Sequence, residues 1–377
     1  MADRPLTVMS LVTEEGRGGS DRLALEVSRG LKSRGHRVIW GSPSDCALNE
    51  EARDAGLEMF SLAPWESGHL IDLSSLIHFC RDERVAIVNT HHSRGRHMLL
   101  RARLAGLRTK VVFTRHCILK TLPYLGSFFH NFLVDMNIAV SNVVRESLVH
   151  GGVWSHKAVT IYGGINAERF ENCPAADIEA VRRKYARKDA FIIGMVARLQ
   201  HTRIFDPGGP TLKGHDVLFR SLSRLPNDII LLLIGPDTKE DREKLAAIAR
   251  HHGVGEDRLT FCGFQENIVP FYKIMDLHVL PSPNEGLGLA VIEAMAAGVP
   301  CIGVDSGGVR EIIDNGTAGF LFRPGDSDDL ASRIRILRED AEKRKLFVLK
   351  GREKVREKFG IEKTVGQTEK IMYGLLR

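Results

Sequence analysis

The chain has 377 residues, 43% of them apolar and 27% charged, with a net charge of +6 and a pI near 9.0. This length exceeds one ordinary compact core and favours two domains of roughly 150–200 residues. The composition excludes a disordered or fibrous chain, and no stretch reaches the ~20 uninterrupted apolar residues of a membrane span.

Six scattered cysteines, Cys46, Cys80, Cys117, Cys173, Cys262 and Cys301, form no C-x-x-C pair and no Cys/His zinc spacing. They read as small buried hydrophobes in a reducing compartment. The first residues carry no signal-peptide plan, so the expected location is the cytoplasm.

Residues 6–12 read as a buried strand. A glycine-rich loop over 13–21 leads into a helix over 22–34, closed by Gly35, and a second strand opens at 36–40. Strand, glycine loop, helix, strand is the opening unit of a doubly wound sheet. Gly18 and Gly19 therefore fall at the carboxyl end of the first strand, where such sheets bind ligands. The loop is not a full G-x-G-x-x-G and no acidic residue ends the second strand, which disfavours a nicotinamide dehydrogenase. Helices at 70–83, 95–104 and 122–134 alternate with strands at 85–90, 110–114 and 136–140. Ser141-Asn142 is an N-cap signal for a helix over 143–150, and a strand at 159–162 closes this half.

The second half restarts the pattern with strands at 191–196, 229–234, 259–262 and 277–280 and helices at 213–225, 239–252 and 268–275. Residues 327–359 and 361–376 read as charged or amphipathic helices. The expected architecture is α/β. A Rossmann-like doubly wound parallel sheet over 1–165 is followed by a polar linker over 166–189 and a second such domain over 190–358. The tail 359–377 is expected to pack back on the first domain. Ligands are expected in a central cleft between the two carboxyl-end faces.

The stretch 281–322 carries the clearest chemistry. Its loop Asn284-Glu285-Gly286-Leu287-Gly288 precedes a helix on which Glu293 follows Glu285 by eight residues. Glycines let backbone N–H groups approach an anion at a helix N-terminus, where the dipole favours negative charge. Two carboxylates so spaced reach different parts of one elongated polar ligand, such as a phosphate-bearing sugar. The competing reading is an ordinary βα turn whose glycines only permit tight packing. Arg198 and Lys213 fall at the same sheet edge and can neutralise a diphosphate. Either alone reads better as a surface ion-pair partner; together with the carboxylate pair and the glycine loop, the ligand-binding reading overtakes it.

Together these segments resemble a known family. Ala197-Arg198-Leu199, Leu212-Lys213-Gly214, Asn284-Glu285-Gly286-Leu287-Gly288, Glu293-Ala294-Met295-Ala296-Ala297-Gly298-Val299-Pro300, Gly307-Gly308-Val309-Arg310-Glu311 and Gly319-Phe320-Leu321 are similar to the C-terminal domain of the family 4 retaining glycosyltransferases. That family has the GT-B fold. In the first half Gly18-Gly19 and the Ala139-Val140-Ser141 strand end resemble the family more loosely, and Asn89-Thr90-His91 and Thr114-Arg115-His116 resemble bacterial members acting on lipopolysaccharide or related cell-surface glycans.

The resemblance implies a donor site of Gly18, Gly19, Arg198, Lys213, Gly263, Phe264, Glu285, Gly286, Leu287, Gly288 and Glu293. Within it Glu285 would hold sugar hydroxyls, Glu293 the ribose, Arg198 and Lys213 the diphosphate, and Gly263-Phe264 would lie near the base. His116 would face the sugar, and His116, Glu285, Arg198 and Lys213 would form the catalytic group. The implied substrate is a nucleotide-diphosphate sugar, UDP ahead of GDP, with no cofactor and no metal. The family's usual spacing of Arg and Lys is interrupted by 200–212, a Gly/Pro-rich insertion expected to act as a lid.

Between Arg84 and Lys120 the sequence holds nine Lys or Arg, and no Asp or Glu until Asp135. Aromatic residues follow from Tyr124 to Phe132. His91, Arg94, Arg101, Arg103, Phe128 and Phe129 are thus candidates for contact with the acceptor or with an anionic membrane surface at the inner face of the membrane. Phe128, Phe129 and Phe132 read alternatively as core. No recognition motif for nucleic acid accompanies the charge. The function expected is a glycosyltransferase of lipopolysaccharide or cell-surface polysaccharide synthesis. The competing readings are a nucleotide-sugar 2-epimerase of the same architecture and a non-catalytic sugar-nucleotide-binding protein.

Overall fold

A computed structural model describes residues 4–14, 16, 18–62, 73–118, 125–199 and 213–377. The 200–212 insertion with its expected lid, Lys120 and Tyr124 lie outside the described residues. The chain forms two units, one running to Ile165 and resuming over Gly360–Arg377, the other Asn166–Phe359.

The strands of the first unit are β1 (Thr7–Leu11), β2 (Arg37–Pro43), β3 (Glu58–Leu62), β4 (Ile87–Thr90), β5 (Lys110–Arg115), β6 (Met136–Ala139) and β7 (Ala158–Thr160). They alternate with α1 (Gly19–Ser33), α2 (Asn49–Asp54), α3 (Leu73–Asp82), α4 (Ser93–Leu104), α5 (Leu125–Phe132) and α6 (Asn142–His150). All pair in parallel in the order β3-β2-β1-β4-β5-β6-β7. The Ser141 hydroxyl accepts from the Val144 amide at 3.3 Å, as its N-cap signal requires.

The second unit opens with α7 (Glu168–Glu171) and α8 (Ala175–Tyr185). There follow β8 (Phe191–Val196), α9 (His215–Leu222), β9 (Ile229–Ile234), α10 (Lys239–His251), β10 (Leu259–Gly263), α11 (Val269–Ile274) and β11 (Leu277–Leu280). The unit ends with α12 (Leu289–Ala297), β12 (Cys301–Val304), α13 (Val309–Ile312), β13 (Phe320–Phe322), α14 (Ser327–Glu339) and α15 (Ala341–Lys358). Its parallel sheet has the order β10-β9-β8-β11-β12-β13. β9, Ile-Ile-Leu-Leu-Leu-Ile, is buried at every position, the signature of a parallel strand covered on both faces.

Residues 166–189, read from sequence as a linker, instead carry α7 and α8 and belong to the second unit. Tyr185 meets Phe271 and Phe170 meets Tyr272, with ring centroids 5.2 and 6.1 Å apart, so the apolar side of each helix is covered. The last helix, α16 (Ile361–Gly374), belongs to the first unit and lies against α1. A methyl group on Gly30 would come within 2.4 Å of Val365, so the missing side chain sets the distance between the two helices. Glu369 accepts from Arg34 at 2.9 Å and lies 2.8 Å from His36 Nε2.

In both sheets the strand order reverses beside the first strand, between β1 and β4 and between β8 and β11. Two loops diverge at each reversal and leave room for a ligand at the carboxyl edge.

Candidate active site

At the second reversal the two diverging segments follow β8 and β11. Lys213 Nζ lies 2.6 Å from Glu285 Oε1, which joins the segment after β8 to the glycine loop after β11. Both side chains stay partly open to solvent, at 31% and 18%. Two residues read from sequence as holding different parts of a ligand thus hold each other. An incoming anion would draw Lys213 off Glu285 and free the carboxylate for hydroxyl groups. Arg198 stands exposed just past β8 on the same edge.

The loop itself is shaped by backbone packing. Gly288 caps α12 with φ of 101°, a left-handed conformation that glycine adopts without strain. The Gly308 amide donates to the Glu285 carbonyl at 2.8 Å. A Cβ at Gly307 would lie 2.6 Å from that carbonyl oxygen, and one at Gly308 2.2 Å from the Gly286 oxygen. The Gly307-Gly308 turn after β12 is therefore the floor of the Glu285 loop, and the Ser306 hydroxyl adds a bond to the Pro283 carbonyl at 2.6 Å.

Glu293 has a partner that the sequence reading missed. The Tyr272 hydroxyl on α11 donates to Glu293 Oε2 at 2.9 Å. Tyr272 is fully buried, and burial together with the Glu293 charge pushes its phenol well above the usual range, so it stays a donor. At the far side of the sheet Gly263 ends β10 with φ of 70°, and Phe264 is 44% exposed. The Gly235 amide donates to the Gly263 carbonyl at 3.0 Å, which ties the loops after β9 and β10. With the first-turn N–H groups of α12, this edge can receive a diphosphate, a sugar and a ribose.

In the first unit Gly18 caps α1 and Gly19 is its first residue, so the helix starts three residues before the expected Arg22, and the Gly18 amide donates to the Asp21 carboxylate at 2.9 Å. Asp21 in turn lies 2.8 Å from His92, whose Nδ1 takes the Thr13 amide at 3.3 Å. This polar knot at the first reversal was missed from sequence. Its signal was the pair of adjacent histidines after the fourth strand. His116 lies just past β5, partly exposed, with its Nε2 3.1 Å from His91 Nδ1. Burial first, then His92, pushes His116 down to about 3, with Asp21 opposing. His91 is itself buried, and burial with its histidine neighbours holds it well below the usual range.

Three of the proposed acceptor or membrane contacts are corrected. His91 is buried behind His116 and is not a surface contact. Arg103 is held by Asp135 at 2.7 Å and by the Thr109 carbonyl, so it clamps α4 to the start of β5. Phe129 is half-buried and packs on the core of the first unit beside the buried His130, while Phe128 faces out. Phe128 and Phe132 are 50% and 57% exposed, and Arg94 and Arg101 are exposed. Phe128 stacks near Phe132 at 4.8 Å, and Phe132 meets Trp154 edge-on at 5.2 Å, an aromatic cluster in contact with solvent. Among the described residues no helix is long and apolar enough to cross a membrane.

Two family models match. Residues 17–169 match Glycosyltransferase Family 4, and residues 177–354 match Glycosyl transferases group 1. N-acetyl-alpha-D-glucosaminyl L-malate synthase of Bacillus anthracis is 28% identical, covering 96% of this chain and 95% of that protein. The capsular polysaccharide biosynthesis glycosyltransferase CapM of Staphylococcus aureus is 26% identical over 63% of this chain and 60% of its own length. Among solved structures, Anabaena Alr3699/HepE in complex with UDP-glucose superposes with a TM-score of 0.84 at 19% identity, over 98% of this chain and all of that one. The two matched segments divide between the two sheets as the two halves of a GT-B enzyme do, and the chain belongs to the group 1, family 4 glycosyltransferases.

Proposed function

We propose that the protein transfers a sugar from a nucleotide-diphosphate sugar, UDP ahead of GDP, to a hydroxyl of a cell-surface glycan or glycolipid, with retention of anomeric configuration. The observation that carries this reading is the Lys213–Glu285 pair on a loop floored by Gly307 and Gly308. A relative named for capsular polysaccharide biosynthesis and a structural neighbour holding UDP-glucose support the acceptor class and the nucleotide.

In this reading Lys213, Arg198 and the N-terminus of α12 take the diphosphate, and positive charge gathers where the leaving group becomes more negative. Glu285, Gly286, Leu287 and Gly288 hold the sugar. Glu293, fixed by Tyr272, accepts from the ribose hydroxyls. The bond from the anomeric carbon to the phosphate breaks while a bond to the acceptor oxygen forms, and the acceptor proton passes to a phosphate oxygen. Glu285 then positions and stabilises, unlike the paired carboxylates of glycosidases.

The test is release of nucleoside diphosphate from UDP-sugars with cell-surface glycan extracts, with the product anomer read by NMR. Glu285→Ala is expected to lose turnover at least about a hundred-fold. Undiminished turnover in Glu285→Ala contradicts the reading, and so does conversion of free donor to an epimer without acceptor.

A finer part of the proposal concerns location. The exposed cluster of Phe128, Phe132 and Trp154 lies in a segment, His91 to Lys157, with ten Lys or Arg against two Asp or Glu. Rings that enter an interface beside unopposed positive charge suit the surface of an anionic bilayer.

A further inference from the structure

Four side chains around β4 and β5 form one continuous hydrogen-bonded file. The Thr114 hydroxyl donates to Asn89 Oδ1 at 2.9 Å. Asn89 Nδ2 lies 3.3 Å from His91 Nε2, and His91 Nδ1 lies 3.1 Å from His116 Nε2. Thr114, Asn89 and His91 are all buried, and they line a small cavity closed on its other side by Val140, Thr364 and Thr368. The file has a direction. An amide nitrogen donates and does not accept, so His91 Nε2 accepts. A neutral imidazole that accepts at Nε2 carries its proton on Nδ1, so His91 donates to His116 Nε2.

We infer that Asn89 and His91 are positioning residues that lock His116 as the neutral Nδ1–H tautomer, making it a hydrogen-bond donor to substrate and not a base through Nε2. Burial keeps both rings uncharged near neutral pH. The groups facing His116, namely His91, His92 and Asp21, leave that unchanged. A neutral N–H can orient a sugar hydroxyl or phosphate oxygen without taking its proton, which agrees with a transfer in which the leaving phosphate receives it. The role toward substrate rests on the glycosyl-transfer reading; the tautomer does not.

Heteronuclear NMR of the full chain with isotope-labelled histidine reads the tautomer directly. In the wild type, His116 is expected to carry its proton on Nδ1 from about pH 6 to 8. Asn89→Asp offers no N–H to His91, so it should reverse the file and move the His116 proton to Nε2. His91→Leu should release the tautomer and lower kcat about three- to ten-fold with donor KM unchanged. His91→Asn keeps a donor near the Nδ1 position and should restore both. A wild-type His116 protonated on Nε2 overturns the inference, whether or not the protein transfers sugar and whether or not the variants fold. The expected tautomer in a protein that never turns over would overturn the transfer reading instead.

Discussion

A methyl group on Gly308 would sit 2.2 Å from the Gly286 oxygen and 2.5 Å from the Leu287 Cα. Backbone cannot yield as a flexible side chain can, so Gly308→Ala must push the loop that carries Glu285. The expected loss is about 1–3 kcal/mol of stability, with a raised donor KM. Gly374→Ala meets nothing within 4 Å and should be neutral or slightly stabilising. Equal melting temperatures for the two variants would contradict the floor assigned to Gly308. Glu285, Glu293 and Lys213 were legible because their types and spacing after a strand carry chemistry. Tyr272 was not, because it precedes Glu293 by 21 residues on another helix and no periodicity links them. His91 was offered as a candidate contact for the acceptor or the membrane because sequence does not tell which of two adjacent histidines turns inward.

At the scale of elements, the long strands and capped helices were visible from apolar runs and from caps such as Ser141. β12, β13, α2 and β3 were not read, although β7 and β11 are as short as β13 and β12; β12 and β13 lie within the glycine-rich stretch read for its chemistry, and α2 and β3 lie in a stretch with weak patterning. α5 shows why a pattern alone leaves burial open. Its Phe128 and Phe132, four residues apart, share one face, while Phe129 turns to the core. Only the surrounding structure tells which face is covered. If the exposed face meets a membrane, the wild type should co-sediment with vesicles rich in anionic phosphatidylglycerol and not with phosphatidylcholine alone. The double substitution Phe128→Ser and Phe132→Ser should abolish this without changing the fold. Binding that ignores lipid charge, or that survives the substitutions, contradicts the membrane assignment.

At the scale of the molecule, the chain repeats one architecture twice and carries its candidate site residues at corresponding sheet edges. Both sheets place polar and glycine-rich segments beside the strand-order reversal, as open parallel sheets do when they bind ligands. The first has Gly19 and His92 there, with His116 one strand further along after β5; the second has Arg198, Lys213 and Glu285. The βα alternation in the sequence led to Gly19, Arg198, Lys213 and Glu285 at these edges, but not to the His92 knot. The return of α16 to the first unit rests on small residues such as Gly30 and Gly164 and on the Arg34–Glu369 contact, all far apart in the chain. The central claim is that the carboxyl edge of the second sheet binds a nucleotide-diphosphate sugar through Lys213. The most direct measurement is thermal unfolding of the full chain with UDP-, GDP- and ADP-sugars, for the wild type and for Lys213→Ala. One of these donors, UDP-linked first, should raise the melting temperature of the wild type, by the equivalent of about 2.7 kcal/mol at a hundred times Kd. Lys213→Ala should lose most of that shift. No shift with any of the three, or an equal shift in the variant, would contradict the account.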